Sequence, residues 1–186
     1  LNLIDFDGVD DRLASGSNSP NYQAITVFVA EIHDSFTPAN ANTARLIEVG
    51  NNLRRVIIGE TTTGIPILTR AFSFFASSSA TALDVQGTAD SAPVGRFQIL
   101  TTAWAGGLPN QNVSLRTQRL ACNGGATSGT GTYTSTLNAV THIGARAADN
   151  LRNLDGAIGE LIVYSYGLSV SAIQLVEAYL MRKWAA

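Results

Sequence analysis

The chain has 186 residues, with 12 Lys+Arg against 14 Asp+Glu and a formal net charge of −2. That length buries a core of ordinary size without staples, and its 45% hydrophobic content excludes a disordered or fibrous polymer. A pI near 5.6 with only 14% charged residues argues against nucleic-acid binding, which needs a basic face to release counterions. A lone cysteine, Cys122, excludes an internal disulfide and a cysteine-based zinc cluster. The most apolar run, Ile158 to Tyr166, is too short for membrane insertion and is interrupted by Glu160. The sequence opens at Leu1 with neither an initiator Met nor a signal segment. It is therefore expected to be an excerpt of a longer polypeptide, forming one domain over 1–186.

Short apolar stretches separated by Gly, Asn, Ser and Thr clusters predict an all-β sandwich or barrel. Ala24 to Ile32 (AITVFVAEI) places apolar residues on both alternating sets and reads as a central strand covered on both faces. Ala44 to Val49 and Leu53 to Glu60 flank the turn-forming Gly50-Asn51-Asn52 and read as a hairpin. Ile65 to Ala76 and Val94 to Trp104 are further strands. Asn112 to Gln118 alternates Val113, Leu115 and Thr117 with polar residues, the pattern of a strand with one wet face. Asn123 to Thr136 has little to bury and predicts a loop or an exposed edge hairpin. Thr141 to Ala147 and Ala157 to Tyr166 are the last strands, joined by a polar loop that ends in the turn dipeptide Asp155-Gly156. From Ser169 onward Ile173, Val176, Leu180 and Trp184 step by three and four, which predicts an amphipathic helix. Ser169 or Ser171 can cap it, and Arg182 and Lys183 suit the negative end of its dipole.

Two segments at opposite ends carry a family resemblance. The first is the FDGVDD opening, Phe6-Asp7-Gly8-Val9-Asp10-Asp11. The second is Gly156-Ala157-Ile158-Gly159-Glu160-Leu161-Ile162-Val163-Tyr164, followed by Gly167-Leu168-Ser169 and a helix closing on Lys183-Trp184. Together they resemble the concanavalin A-like lectin/glucanase superfamily, in the laminin G-like jelly-roll version found on bacterial and phage surface proteins. The resemblance implies an antiparallel two-sheet sandwich with a short C-terminal helix and the first and last strands as neighbours. Phe6, Ile158, Leu161 and Val163 would then point inward between the sheets.

The resembled family includes glucanases, whose active strand carries Glu-x-Asp-x-Glu on one face. Here the five Glu (31, 48, 60, 160 and 177) are widely scattered. Glu31 and Asp34, three apart, read as a strand-end charge followed by a turn aspartate. His33 and His142 stand isolated without metal-site spacing. Cys122 has no activating neighbour in sequence, and the glycines near Gly124 lack the Lys and helix of a phosphate loop. A non-enzyme is expected. The resemblance also implies Ca2+ at a loop rim, for which Asp149, Asn150 and Asp155 are the oxygen-bearing candidates. Asp5, Asp7, Asp10 and Asp11 form a second acidic group that reads as a turn, because Asp7-Gly8 is a turn signal.

For recognition of a glycan or host-surface polysaccharide, an aromatic platform with nearby amides is needed. Trp104 with Asn110 and Asn112, and Tyr133, are the candidates; Trp184 reads as structural. The expected function is a non-catalytic recognition module of a phage virion or bacterial surface protein, located on the virion or cell surface, with other virion subunits as further partners. A purely structural decoration or assembly module and a diverged hydrolase or lyase are the alternatives.

Overall fold

A computed structural model describes residues 2–15, 25–34, 44–49, 54–58, 72–77, 82–86, 95, 97–104, 111–117, 127–131, 141–145 and 153–184. Among them the elements are β1 (Ile4–Asp7), β2 (Leu13–Ala14), β3 (Ile25–His33), β4 (Ala44–Val49), β5 (Arg54–Ile58), β6 (Phe72–Ser77), β7 (Ala82–Gln86), β8 (Phe97–Trp104), β9 (Gln111–Thr117), β10 (Thr127–Gly131), β11 (Thr141–Ile143), β12 (Asp155–Tyr164) and α1 (Val170–Trp184). They form two six-stranded sheets, ordered β1-β12-β3-β8-β9-β10 and β2-β11-β4-β5-β6-β7. Neighbouring strands are antiparallel throughout. The protein is an all-β jelly-roll sandwich with one C-terminal helix. That helix is too short to cross a membrane.

β3 is central, as its two-sided apolar pattern requires: every residue from Thr26 to Glu31 is buried. Its even-numbered side chains, Phe28 and Ala30, join Ile99 of β8 beneath Ile173, Leu180 and Trp184 of α1. On the other face Val27 and Val29 lie across from Thr102 and Leu100, packed toward the second sheet, where Leu46 and Ile47 are buried. β4 and β5 pair antiparallel, with Val49 opposite Arg54 and Ala44 opposite Ile58 and a register shift between Arg45 and Ile47; the expected turn Gly50-Asn51-Asn52 lies outside the described residues. β10 lies within Asn123 to Thr136, where a loop or an exposed edge hairpin is expected, and among the described residues it pairs with β9 at the end of its sheet.

The first and last strands are neighbours, with Ile4 opposite Ile158 and Asp7 opposite Asp155. β12 also pairs with β3, and its register slips between Ile158 and Glu160. The extra residue at that bulge is Gly159. Because of it, Ile158 and Leu161, three apart in sequence, oppose Glu31 and Val29 on the same face. Glu160 turns instead to the helix side. There its carboxylate accepts hydrogen bonds from Trp184 Nε1 at 2.9 Å, Lys183 Nζ at 2.9 Å and Tyr179 Oη at 3.2 Å. Burial works against the charge of Glu160, but these donors outweigh it and hold the carboxyl below its ordinary range. The Trp184 ring stacks on Phe97 at 5.7 Å. A Cβ on Gly159 would come within 2.7 Å of that ring, so only glycine lets the helix end settle against the sheet.

α1 is capped by Ser169, whose Oγ accepts the Ala172 N–H at 3.3 Å. Its buried stripe is Ile173, Glu177, Leu180 and Trp184, with Val176 half-buried. Glu177 is thus an unexpected member of the packed face; its Oε1 accepts the Thr101 hydroxyl at 2.7 Å.

Three sequence expectations need correction. Glu31 is not a strand-end charge: it is 0% exposed, because β3 continues to His33 and Ile158 and Gln98 flank it on both sides. Asp34, by contrast, is exposed, as a turn aspartate should be. Asp155 and Gly156 are not a turn; they begin β12 by pairing with Asp7 and Phe6. β7, a short strand that runs through Asp84 paired with Phe75, falls where the sequence predicts no strand.

Two tests follow from this packing. Gly159→Ala forces Trp184 off Phe97 and should lower unfolding free energy by about 1–3 kcal/mol in urea titrations; an unchanged midpoint would show that the helix end is not locked there. Burial pushes the Glu31 carboxyl up to about 8, against a smaller opposing effect of Gln98. In the unfolded chain this carboxyl ionises near its ordinary value of 4.5, so the folded state holds the extra proton between these values. The contribution of Glu31 to stability is therefore full below pH 4.5 and is lost as pH rises to about 8, with a slope of up to about 1.4 kcal/mol per pH unit. Denaturant titrations across this window should show that decline in the parent and a flatter profile in Glu31→Gln.

Candidate functional site

At one rim of the sandwich three segments converge: the turn after β1, the end of β11 and the residues entering β12. The turn is built by its own aspartates. Asp7 Oδ1 accepts the N–H of Val9 at 2.8 Å and of Asp10 at 3.4 Å, while Asp11 Oδ2 accepts the Asp7 N–H at 3.0 Å. These are the local side-chain-to-backbone bonds by which Asp initiates turns. Gly8 takes φ +76°, and a Cβ there would come within 2.9 Å of Asp155 Cβ. Led by the Val9 N–H, these donors hold the Asp7 carboxyl below its ordinary range. The turn reading of Asp7-Gly8 is thus realised.

One ligand atom from each of Asp7, Asp10 and Asp11 lies within 4.8 Å of the others, and all three residues are exposed. Behind them the rim is anchored. Phe6, 2% exposed, lies with its ring against Gly144, and the Leu154 N–H donates to Gly144 O at 2.7 Å. Asn153 is 7% exposed; its Nδ2 donates to the Val9 carbonyl in the middle of the acidic turn. Its Oδ1 is buried and meets no hydrogen-bond donor. Asp155, half-buried, lies directly opposite Asp7, and its main-chain carbonyl accepts the Asp34 N–H at 3.0 Å.

Of the residues expected to hold calcium, Asp155 therefore belongs to this rim, whereas Asp149 and Asn150 lie outside the described residues. Asp5 is exposed on β1, opposite Ala157. Among the expected glycan contacts, Asn110 and Tyr133 lie outside the described residues. Trp104 closes β8 opposite Ile25 and Val113, and Asn112 lies in β9 opposite Thr130; the side chains of both lie outside the described residues. His142 is half-buried on β11, and His33 is the last residue of β3.

Among the described residues the fully buried carboxylates, Glu31 and Glu177, do not make a pair. Glu31 belongs to the face of β3 opposite Phe28 and Ala30, whereas Glu177 reaches the helix-covered face at Thr101, the cross-strand partner of Phe28. A sheet separates them, so they cannot flank one scissile bond from a shared cleft. Asn153 and Glu177 escaped the sequence reading. Glu177 carried a signal, since it falls on the stripe 173, 177, 180, 184; Asn153 carried none.

No family model matches the chain, and no curated protein matches it in sequence. Its architecture is nevertheless shared with solved structures. The heptameric SAP-like pentraxin of Limulus polyphemus aligns with TM-score 0.63 at 13% identity, over 93% of this chain and 80% of that one. Tailspike protein 2 of an Escherichia coli bacteriophage aligns with TM-score 0.61 at 11% identity, over 95% of this chain but 24% of that one. The CBM40 module of a Ruminococcus gnavus IT-sialidase, solved with α2,3-sialyllactose, aligns with TM-score 0.60 at 12% identity, over 95% of this chain and 97% of that one. These similarities show that the chain shares the jelly-roll sandwich fold of those domains.

Proposed function

We propose that the chain is a non-catalytic carbohydrate-recognition module of the concanavalin A-like, laminin G-like type, displayed on a virion or cell surface. The observation that carries this reading is the end-to-end correspondence with a sialyllactose-bound binding module, 95% of one chain on 97% of the other. The similarity to a phage tailspike supports the virion setting. The placement of Glu31 and Glu177 on opposite faces of one sheet supports a binding role over hydrolysis. Trp104, Asn110, Asn112 and Tyr133 are the proposed contacts, because glycan recognition needs an aromatic platform with amide donors and acceptors.

A structural assembly role is favoured by one different observation. β1 and β2 each end their sheet, and Leu3, Ile4, Val9 and Leu13 there are 43%, 50%, 70% and 43% exposed. Unpaired strand edges with apolar side chains are surfaces on which further chains pair.

A glycan array that includes sialylated lactose should show binding, and Trp104→Ala should weaken it by about tenfold or more, the loss of one stacking aromatic. Silence across the array combined with a concentration-dependent oligomer in light scattering would favour assembly. Release of new reducing ends from any bound polysaccharide would overturn the non-catalytic reading.

A further inference from the structure

We infer that Tyr166, in the connection between β12 and α1, is a stacking platform for the apolar face of a neutral hexose unit. The assignment rests on the glycan reading above and adds to it a residue beyond Trp104, Asn110, Asn112 and Tyr133. Tyr166 is 55% exposed, although its main chain and its ring are both held. The Thr26 hydroxyl, 0% exposed, donates to the Tyr166 carbonyl at 3.0 Å and accepts the Leu168 N–H at 3.0 Å. One buried side chain thus pins the backbone on both sides of Gly167.

The ring is braced from the core outward. Phe28, buried in the helix-covered core, meets Tyr164 edge-on, with centroids 6.1 Å apart and planes at 79°. Tyr164, half-buried, meets Tyr166 in the same manner at 5.7 Å and 68°. An edge-to-face contact occupies at most one face of the outer ring and leaves the other open. Leu168 packs on the core and Ser169 caps α1, so the far end of the connection is anchored as well. A ring that is already fixed and still largely in water has little freedom left to lose when a ligand settles on it, which is the preorganisation a binding contact needs.

The surroundings select the occupant. Ser165 and Ser169, on either side of Tyr166 in the connection, are exposed and carry hydroxyls. A pyranose turns a C–H face to the negative face of an aromatic ring and offers its own hydroxyls to donors and acceptors of this kind. No charged residue stands between Glu160 and Glu177, so the segment brings no cation to pair with a sugar carboxylate, and the class is a neutral hexose. Area argues against a protein partner. The large apolar side chains exposed here are Tyr166 and Val170, at 55% and 53%, far short of the roughly 800 Å² per partner that a stable interface buries. Tyr164 lies opposite Thr26, and Thr26 lies opposite Ala103, next to Trp104. The platform and Trp104 therefore share one end of the first sheet.

The test is calorimetric titration of the full chain with lactose, which holds only neutral hexoses, and with the other neutral oligosaccharides of a glycan array. Tyr166→Leu keeps an apolar side chain against Tyr164 but has no aromatic face. It should unfold within about 5 °C of the parent and bind these glycans about tenfold more weakly. Tyr166→Phe, which keeps the ring, should bind as the parent does. A folded Tyr166→Leu that binds as tightly as the parent would overturn the platform. So would a Tyr166→Phe as weak as Tyr166→Leu, because the hydroxyl and not the ring would then make the contact, and so would binding confined to acidic glycans. In each of these cases the parent still binds, and the glycan reading stands without Tyr166. A parent that binds no glycan at all removes both.

Discussion

Strand β12 has to satisfy two packing surfaces at once, and the arrangement of the rest of the first sheet follows from how it does so. It is flanked by β1 and β3, one face meeting the second sheet and the other meeting α1. A strict alternation would place Ile158 and Leu161 on opposite faces. The bulge at Gly159 brings them to the same inner face and gives Glu160 to the helix. Magnitudes separate the roles of the contacts made there. An exposed ion pair such as Lys183–Glu160, at 2.9 Å, contributes up to about 1 kcal/mol. Burying a side chain such as Ile173 or Leu180 contributes about 1.5–3 kcal/mol each. Apolar burial therefore holds the helix on the sheet, and the hydrogen bonds to Glu160 fix its rotation and end point.

The two enclosed glutamates show how differently the same side chain can be accommodated. Glu177 lies at the helix–sheet boundary and has the Thr101 hydroxyl at 2.7 Å, a local bond that offsets part of its desolvation. Glu31 lies within the sandwich between Gln98 and Ile158. There burial dominates and keeps its carboxyl protonated at neutral pH, with Asp34 pushing in the same direction. Ionising it inside the core costs far more than ionising it in the unfolded chain. In a chain with 14% charged residues, a protonated core carboxyl acts as a polar but uncharged core group over the lower part of the pH range.

The legible parts of the fold were those set by periodicity and turn chemistry. The two-sided apolar pattern of Ile25 to Ile32 requires a central strand, Gly50-Asn51-Asn52 requires a hairpin, and the spacing of Ile173, Leu180 and Trp184 requires the helix. The joining of β1 to β12 came from the resemblance of the two terminal segments, not from periodicity. What stayed hidden depends on partners distant in sequence. Glu31 reads as a strand-end charge only if β3 stops beside it; its burial follows from flanking strands drawn from residues 97–104 and 155–164. The acidic turn was legible from Asp7-Gly8. The arrival of Asn153 at that turn was not, because it depends on Leu154 being tied to Gly144 and on the register that sets Asp155 opposite Asp7.

Register also separates Trp104 from the acidic rim. Trp104 pairs with Ile25, at the start of β3, and Asn112 lies near the start of β9, beyond the connection from β8. The acidic rim lies at the other end: Gly156, next to Asp155, pairs with His33, the last residue of β3. At a rise of about 3.3 Å per residue the length of β3 separates these ends by roughly 26 Å. Trp104, at the end of β8, and Asn112, in β9, therefore lie at the opposite end of the first sheet from the acidic rim. The outer face of β12, β3 and β8 is occupied by α1.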